Sequence, residues 1–116
     1  MTMIYNVNFQ GLYDVSDGDE EFLLSVLLVI EKNLSEFPKQ LQELLNDNEI
    51  ISFSKKAHKL KSSTAYLGHH ELEGLLLIME DGKDLSKEVL QGHLNEFNSI
   101  VEIVLGDVQA KIEELG

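Results

Sequence analysis

Three features are missing from this chain of 116 residues, and each absence removes a class of function. There is no cysteine, so disulfides, thiolate catalysis and cysteine-based zinc sites are excluded. No apolar run approaches the roughly 18 residues that a membrane span needs. No glycine-rich loop could hold a nucleotide phosphate, so we expect a chain that does not bind ATP and is not itself a kinase.

The N-terminus also lacks a targeting signal. Residues 1–6 have neither the basic start nor the apolar core of a signal peptide, so we expect a cytoplasmic protein without a membrane segment. The length suits one domain over residues 1–116, expected to be a monomer. The initial methionine favours a free-standing module, although a domain of a hybrid sensor kinase would have the same sequence features.

Basic charge is scarce and unevenly placed. Nine lysines and no arginine stand against 21 acids, for a formal net charge of −12, so nucleic acid is not an expected partner. Residues 50–70 nevertheless contain no acid, where the average frequency would give about four. This run contains four lysines around one histidine: Lys55, Lys56, Lys59 and Lys61 around His58. The pattern indicates a surface for an acidic or phosphate-bearing partner, or simply lysines that solvate a helix.

The apolar residues recur at spacings of three and four along most of the chain, and nothing has the pattern of a strand. We predict an all-α fold, an antiparallel up-and-down four-helix bundle over about 18–115, with a short N-terminal helix or cap over 1–17. Ser16 and Asp19 resemble a capping box, and the first long helix should run through Pro38 with a kink. The third segment, about 49–67, should end at Gly68 in a left-handed cap.

His58 lies on a stripe beside the apolar face of this third segment. Its neighbours on the stripe are Ser54, Lys61 and Ala65, which are small or cationic, so the imidazole should be open to a partner. A lone histidine on a helix is more often a surface residue without function. The surrounding motif decides between these interpretations.

The motif resembles the signature of histidine-containing phosphotransfer (HPt) domains, which pass phosphoryl groups between aspartates of response-regulator receiver domains. The resemblance covers about residues 12–105, with Ser62 standing where many members have glycine. It rests on the following residues: His58, Leu60, Lys61, Ser62, Ser63, Leu67, Gly68, Leu72, Met79 and Glu80.

The resemblance implies that His58 accepts the phosphoryl group at Nε2 and that Lys61 stabilises it. Ser62 either donates a hydrogen bond to the group or is merely small. No cofactor would be bound by this chain, since Mg²⁺ is expected in the partner receiver. The implied partners are receiver domains and a hybrid sensor histidine kinase. Partner contacts are expected from Ile51, Ser54, Lys55, Lys59, Ser62 and Ala65.

Other interpretations stay open. A non-catalytic helical adaptor could dock a receiver or kinase through the same surface without transfer. His69 and His70 with Glu73 could form a weak metal site or a helix cap; the spacing favours the cap, and we expect no metal. His93 should be exposed, and Gly74 should allow close helix packing or be tolerated at a cost of roughly 1 kcal/mol.

Overall fold

The computed structural model describes residues 6–116, and these residues form helices and turns without a strand. The predicted all-α class is confirmed. Tyr5, which the sequence assigns to the N-terminal cap, lies outside the described residues. The helices are α1 (Gln10–Ser16), α2 (Glu20–Asn46), α3 (Ile50–Thr64), α4 (His70–Glu80) and α5 (Lys87–Leu115).

The four longer helices pack side by side in a ring, so that each helix contacts two of the others. Helix α2 contacts α3 and α5, and α4 contacts the same two helices from the other side. The 29 residues of α5 correspond to a length of about 44 Å at 1.5 Å per residue. This length matches the longest dimension of the molecule, 44 Å. Helix α1 packs on α2 and on the turn that follows α3.

The core is built from the apolar stripes expected for amphipathic helices. In α2 the stripe is buried from Leu23 to Leu41 and Pro38 lies inside the helix, so one helix is present as predicted. The spacing of three and four predicts Leu44 as the next member of this stripe after Leu41, but Leu45 is buried instead and Leu44 is only partly buried. Ile50, the first member of the predicted stripe of α3, is only partly buried. The other predicted core residues of α3 and α4 are buried: Phe53, Ala57, Leu60, Thr64, Leu72, Leu75, Leu76 and Met79.

Helices α2, α4 and α5 begin with a side-chain cap, but one predicted cap is wrong. Asp19, not Ser16, is the N-cap of α2, and its carboxylate accepts a hydrogen bond from the Phe22 amide. Ser16 is the buried last residue of α1 and donates to the Tyr13 carbonyl oxygen, so no capping box forms. Ser86 caps α5 by accepting from the Val89 amide, as its position suggests.

The connection between α3 and α4 depends on one glycine. Helix α3 ends at Thr64, a 3₁₀ turn spans Ala65–Leu67, and Gly68 follows with φ of +62°, the left-handed conformation expected there. A Cβ at Gly68 would lie 3.1 Å from the Asn8 Cβ atom. The Asn8 amide donates to the Leu67 carbonyl oxygen at 2.9 Å. Gly68 therefore provides both a backbone conformation and room for the N-terminal segment.

The N-terminal segment is held against the C-terminal half of α5. The Asp107 carboxylate accepts a hydrogen bond from the Val7 amide at 3.0 Å. Lys111 is only 6% exposed, and its ammonium lies 4.8 Å from the Tyr13 ring centroid. The periodicity instead predicts Ile112 and Leu115 as core residues, and both are only partly buried. The aromatic residues of the N-terminal segment shift the buried face of α5 toward the lysine.

Candidate functional site

His58 projects from the middle of α3 into solvent. Its side chain is 61% exposed, because the neighbouring stripe of Ala57 and Leu60 turns inward to the core. The helix thus presents the imidazole on an open face, at a fixed position on a rigid element. A second molecule can therefore reach the imidazole without a rearrangement of α3.

One carboxylate, from the last turn of α4, joins His58 to Lys61. Glu80 Oε1 is hydrogen-bonded to His58 Nδ1, and Glu80 Oε2 accepts from Lys61 Nζ at 2.5 Å. The Lys61 side chain is 31% exposed and that of Glu80 is 19% exposed. The three side chains form a compact group, here called the His58 cluster, at the surface between α3 and α4.

The charge state of Glu80 decides the tautomer of His58. The Lys61 ammonium and, secondly, His58 hold the pKa of this carboxyl below its usual value of 4.5, so Glu80 is ionised at neutral pH. A carboxylate only accepts hydrogen bonds, so Nδ1 must carry the ring proton. In a neutral imidazole Nε2 then has the lone pair. Within residues 6–116, no hydrogen bond engages Nε2.

Two further lysines flank a depression on one side of the cluster. This depression, about 460 Å³ in volume, is lined by Ser54, Lys55, His58, Glu80, Asp81 and Lys83. Lys83 lies in the 3₁₀ turn that follows α4. The sequence analysis did not assign it to the site, because its proximity to His58 depends on how α4 folds back along α3. The charges of the two lysines and the two acids that line this depression cancel. The surface is therefore basic only along α3.

An open groove lies on the other side, beyond Lys61. It has a volume of about 520 Å³ and is lined by Lys61, Ser62, Ala65, His70, Glu73, Gly74 and Leu77. A Cβ placed on Gly74 would meet nothing within 4 Å, so of the two reasons predicted for this glycine close helix packing is wrong, whereas simple tolerance agrees with the structure. Gly74 forms part of an exposed groove, and its lack of a side chain keeps that groove open.

The predicted partner-binding residues do not share one environment. Ile51 is 68% exposed, and Ala65, Lys55 and Lys59 are also exposed. Ser54 is half-buried, and its hydroxyl donates to the Glu80 backbone carbonyl, so it ties α3 to the end of α4.

Two more residues near His58 are engaged within the protein. Ser62 donates its hydroxyl to the His58 carbonyl oxygen at 3.3 Å, which favours the role of a small residue over that of a phosphate donor. Lys56 lies 5.0 Å from the Phe37 ring centroid and donates to Gln40 at 2.9 Å. Lys56 thus points away from His58, as the helical pattern indicates.

The other histidines have ordinary structural environments. His69 is the N-cap of α4, where its Nδ1 accepts from the Leu72 amide at 3.2 Å, in agreement with the predicted cap. Among residues 6–116, no group of three or more histidine and acidic side chains could hold a metal ion. His93 is half-buried against the core rather than exposed, so that prediction is wrong. His93 lies next to the buried stripe residues Leu90 and Leu94 on α5, which cover part of its side chain.

Comparison of the chain with family models, with curated proteins and with solved structures gave no match. Within residues 6–116, no helix combines the length and the apolar character needed to cross a bilayer.

Proposed function

We propose that this chain is a histidine phosphotransfer protein of a phosphorelay. In this proposal, His58 takes a phosphoryl group from an aspartate of one receiver domain and passes it to another receiver. The observation that carries the proposal is the exposed imidazole whose Nδ1 is held by an ionised carboxylate, which leaves Nε2 free as a nucleophile. The adaptor alternative does not need this tautomer.

The helical packing supports the same proposal. The ring of contacts among α2, α3, α4 and α5 is compatible with an antiparallel up-and-down four-helix bundle. Such a bundle would hold His58 midway along a straight rigid surface, and the α3–α4 hairpin would bring Glu80 beside it. The receiver could then approach along α3 without a rearrangement of this chain.

The chemistry asks little of the protein itself. Nε2 of His58 forms a bond to phosphorus as the bond to the receiver's aspartyl oxygen breaks, and the electron pair leaves with that carboxylate. The receiver supplies Mg²⁺ and an already reactive acyl phosphate. Lys61 lies one helical turn from His58 and can offset part of the roughly −1.5 to −2 charge of the group.

The charge distribution favours an acidic partner site. The helix surface around His58 has Lys55 and Lys59 exposed, and residues 50–70 contain no acid, in a chain with a net charge of −12. A receiver's phosphorylation site gathers carboxylates around a metal ion, which complements this surface. Ile51 and Ala65, at either end of the His58 stripe, would supply the apolar part of the contact.

The test is transfer of label from phosphorylated receiver domains to the chain. The native chain should acquire acid-labile label, and His58→Gln should acquire none while it still binds the receiver. His93→Gln, which changes a histidine on α5, is the matched control and should be labelled normally. Label on the His58→Gln protein would show that another residue is the acceptor. Binding of receivers without any labelling of the native chain would favour the adaptor.

A further inference from the structure

Helix α4 has an apolar surface on the side that points away from the core. Successive residues of an α-helix are rotated by about 100°, so the buried residues, from Leu72 to Met79, lie together on one side of α4. Exposed residues within an arc of about 100° lie on the opposite side. These residues, here called the α4 outer face, are His70, Gly74, Leu77, Ile78 and Asp81.

The middle of the α4 outer face combines projecting side chains with a gap. Leu77 is 48% exposed and Ile78 is 40% exposed, so both project into solvent. One turn earlier, a Cβ on Gly74 would meet nothing within 4 Å. A glycine inside a helix costs stability relative to alanine, and within residues 6–116 no close contact requires one here. The close approach of a helix from another molecule would require it.

The two ends of the α4 outer face carry groups that can pair with each other. His70 is the first residue of α4 and Asp81 follows its last residue, about 16 Å away along the axis. The imidazole has an N–H group that can donate to a carboxylate, and the carboxylate of Asp81 can accept it. Within one chain the two groups are too far apart to meet, whereas an antiparallel second α4 would bring them together.

We propose that the α4 outer face binds the same face of a second copy of this chain, in a two-fold dimer whose α4 helices are antiparallel. An axis that brings each His70 opposite Asp81 of the second copy crosses α4 midway between these residues. Gly74 and Leu77 are centred on the same point of the helix. The same axis therefore brings each Leu77 into the gap at Gly74 of the second copy, so the face is complementary to itself in shape and in charge.

The dimer should be weak and should strengthen with salt. The α4 outer face follows a single helix of 11 residues, and stable complexes bury about 800 Å² on each partner. Each copy also has a net charge of −12, so two copies repel each other until salt screens the charge. We expect a dissociation constant on the order of 100 µM at physiological ionic strength. The expected monomer thus becomes one side of an equilibrium, whether or not the chain transfers phosphoryl groups.

The first measurement is the molar mass of the chain by sedimentation equilibrium, from about 10 µM to about 1 mM. The native chain should rise from 13.1 kDa toward twice that mass, and more steeply at higher salt. Leu77→Glu should stay a monomer. Ile103→Glu makes the same kind of change at a position on α5 that is 52% exposed, and it should associate like the native chain.

Two outcomes of this measurement would overturn the proposal. A native chain that stays at 13.1 kDa throughout would leave the α4 outer face to a different kind of partner. Native association by Leu77→Glu would place any dimer interface elsewhere. No receiver enters the experiment, so neither outcome bears on the proposed phosphotransfer.

The second measurement tests the gap at Gly74. Gly74→Leu adds a side chain that meets nothing within its own chain and suits a helix better, so the fold should be retained, as circular dichroism would show. The added side chain fills the space that Leu77 of the second copy needs, so association should weaken at least about tenfold. Native association by Gly74→Leu would mean that the glycine is merely tolerated, and it would overturn the proposed packing.

The third measurement tests the antiparallel orientation. His70→Asp sets an acid opposite Asp81 of the second copy, so association should weaken. The double variant His70→Asp with Asp81→His exchanges the two groups and should restore association. Both changes suit the dipole of α4, with an acid at its first residue and a histidine at its end, so the fold should be retained. A double variant that associates no better than His70→Asp alone would exclude the antiparallel pairing.

Discussion

Two regions of this molecule each contain a lysine beside an acid, and they differ in what surrounds the pair. In the His58 cluster, Lys61 is 31% exposed and bonds a carboxylate that it shares with an open imidazole. On α5, Lys111 is 6% exposed, lies 5.8 Å from the Phe9 ring centroid and is 3.4 Å from Glu114. The first lysine can exchange its partner for an incoming anion, whereas the second is enclosed by the N-terminal segment.

The surroundings of Lys111 also stabilise its charge. Burial opposes the charge on Lys111, but its interactions with Tyr13 and Glu114 outweigh burial and raise the pKa of the ammonium above 10.5. Its contribution to stability is therefore complete below pH 10.5 and is lost only as pH rises through the folded-state pKa. We expect Lys111 to stabilise the fold and Lys61 to contribute less, since the Lys61–Glu80 ion pair lies at the partly exposed surface, where such pairs are worth about 0–1 kcal/mol.

The largest effect that would test this difference is the loss of receiver binding to the exposed face of α3 around His58, here called the His58 surface. Ala65→Trp places a bulky side chain on an exposed position one helical turn beyond Lys61, so receiver binding should be lost while the fold is retained. Val15→Trp adds the same side chain at an exposed position on α1, in the Lys111 region, and should bind normally. Titration of each variant with a receiver measures the effect. Unaltered binding and transfer by Ala65→Trp would mean that the docking surface is misassigned.

Removal of Lys61 should give the next largest effect. Lys61→Ala removes one charge-assisted contact to the phosphoryl group, worth about 1.5–3 kcal/mol, so transfer or phosphohistidine lifetime should fall roughly ten- to a hundredfold. The nucleophile is still present, so labelling should persist. Lys39→Ala, which removes an exposed lysine on α2 outside the predicted docking residues, is the control and should be nearly native. Equal transfer rates for Lys61→Ala and the native chain would exclude the proposed role of the ammonium.

The His58 surface was easier to predict from sequence than the Lys111 region. The stripe of Phe53, Ala57 and Leu60 places His58 outward by helical period alone, because each contact is local to one helix. The contact of Lys111 with Tyr13 joins residues about a hundred positions apart, and period alone predicts Ile112 as the buried residue. A buried lysine needs aromatic partners from elsewhere in the chain, and the sequence of α5 does not indicate them.

The position of Glu80 could be predicted from the sequence only in part, so it falls between these two regions. It belongs to the residues that resemble the phosphotransfer signature, but its contact with His58 spans 22 residues and depends on the α3–α4 hairpin. The left-handed Gly68 was foreseen, and it sets the direction in which α4 returns along α3. The packing of Leu72, Leu76 and Met79 in the core sets the register of α4 along α3. This register brings the last turn of α4 beside His58.

Loss of Lys111 should affect stability and leave transfer intact. Lys111→Ala removes a buried side chain that contacts Phe9 and Tyr13, so the free energy of unfolding should fall by about 1–3 kcal/mol. Lys111→Met retains the apolar stem without the charge and should lose less. Urea denaturation of the native chain and both variants measures the change. A fall in the labelling rate of folded Lys111→Ala would link this region to the His58 site and contradict the separation of roles.

The smallest effect concerns the stability contribution of Glu80 at acid pH. Because Lys61 and then His58 lower the pKa of Glu80 in the folded state, the stabilisation is present above pH 4.5 and is lost as pH falls through the folded-state pKa. The native chain should therefore be slightly more stable than Glu80→Gln at pH 7, by less than the Lys111→Ala change, and the two should converge near pH 3. Urea denaturation at both pH values gives the comparison, with Asp81→Asn as the control for general loss of an acid. A difference between the native chain and Glu80→Gln that is the same at both pH values would mean that the ion pair does not contribute through its charge.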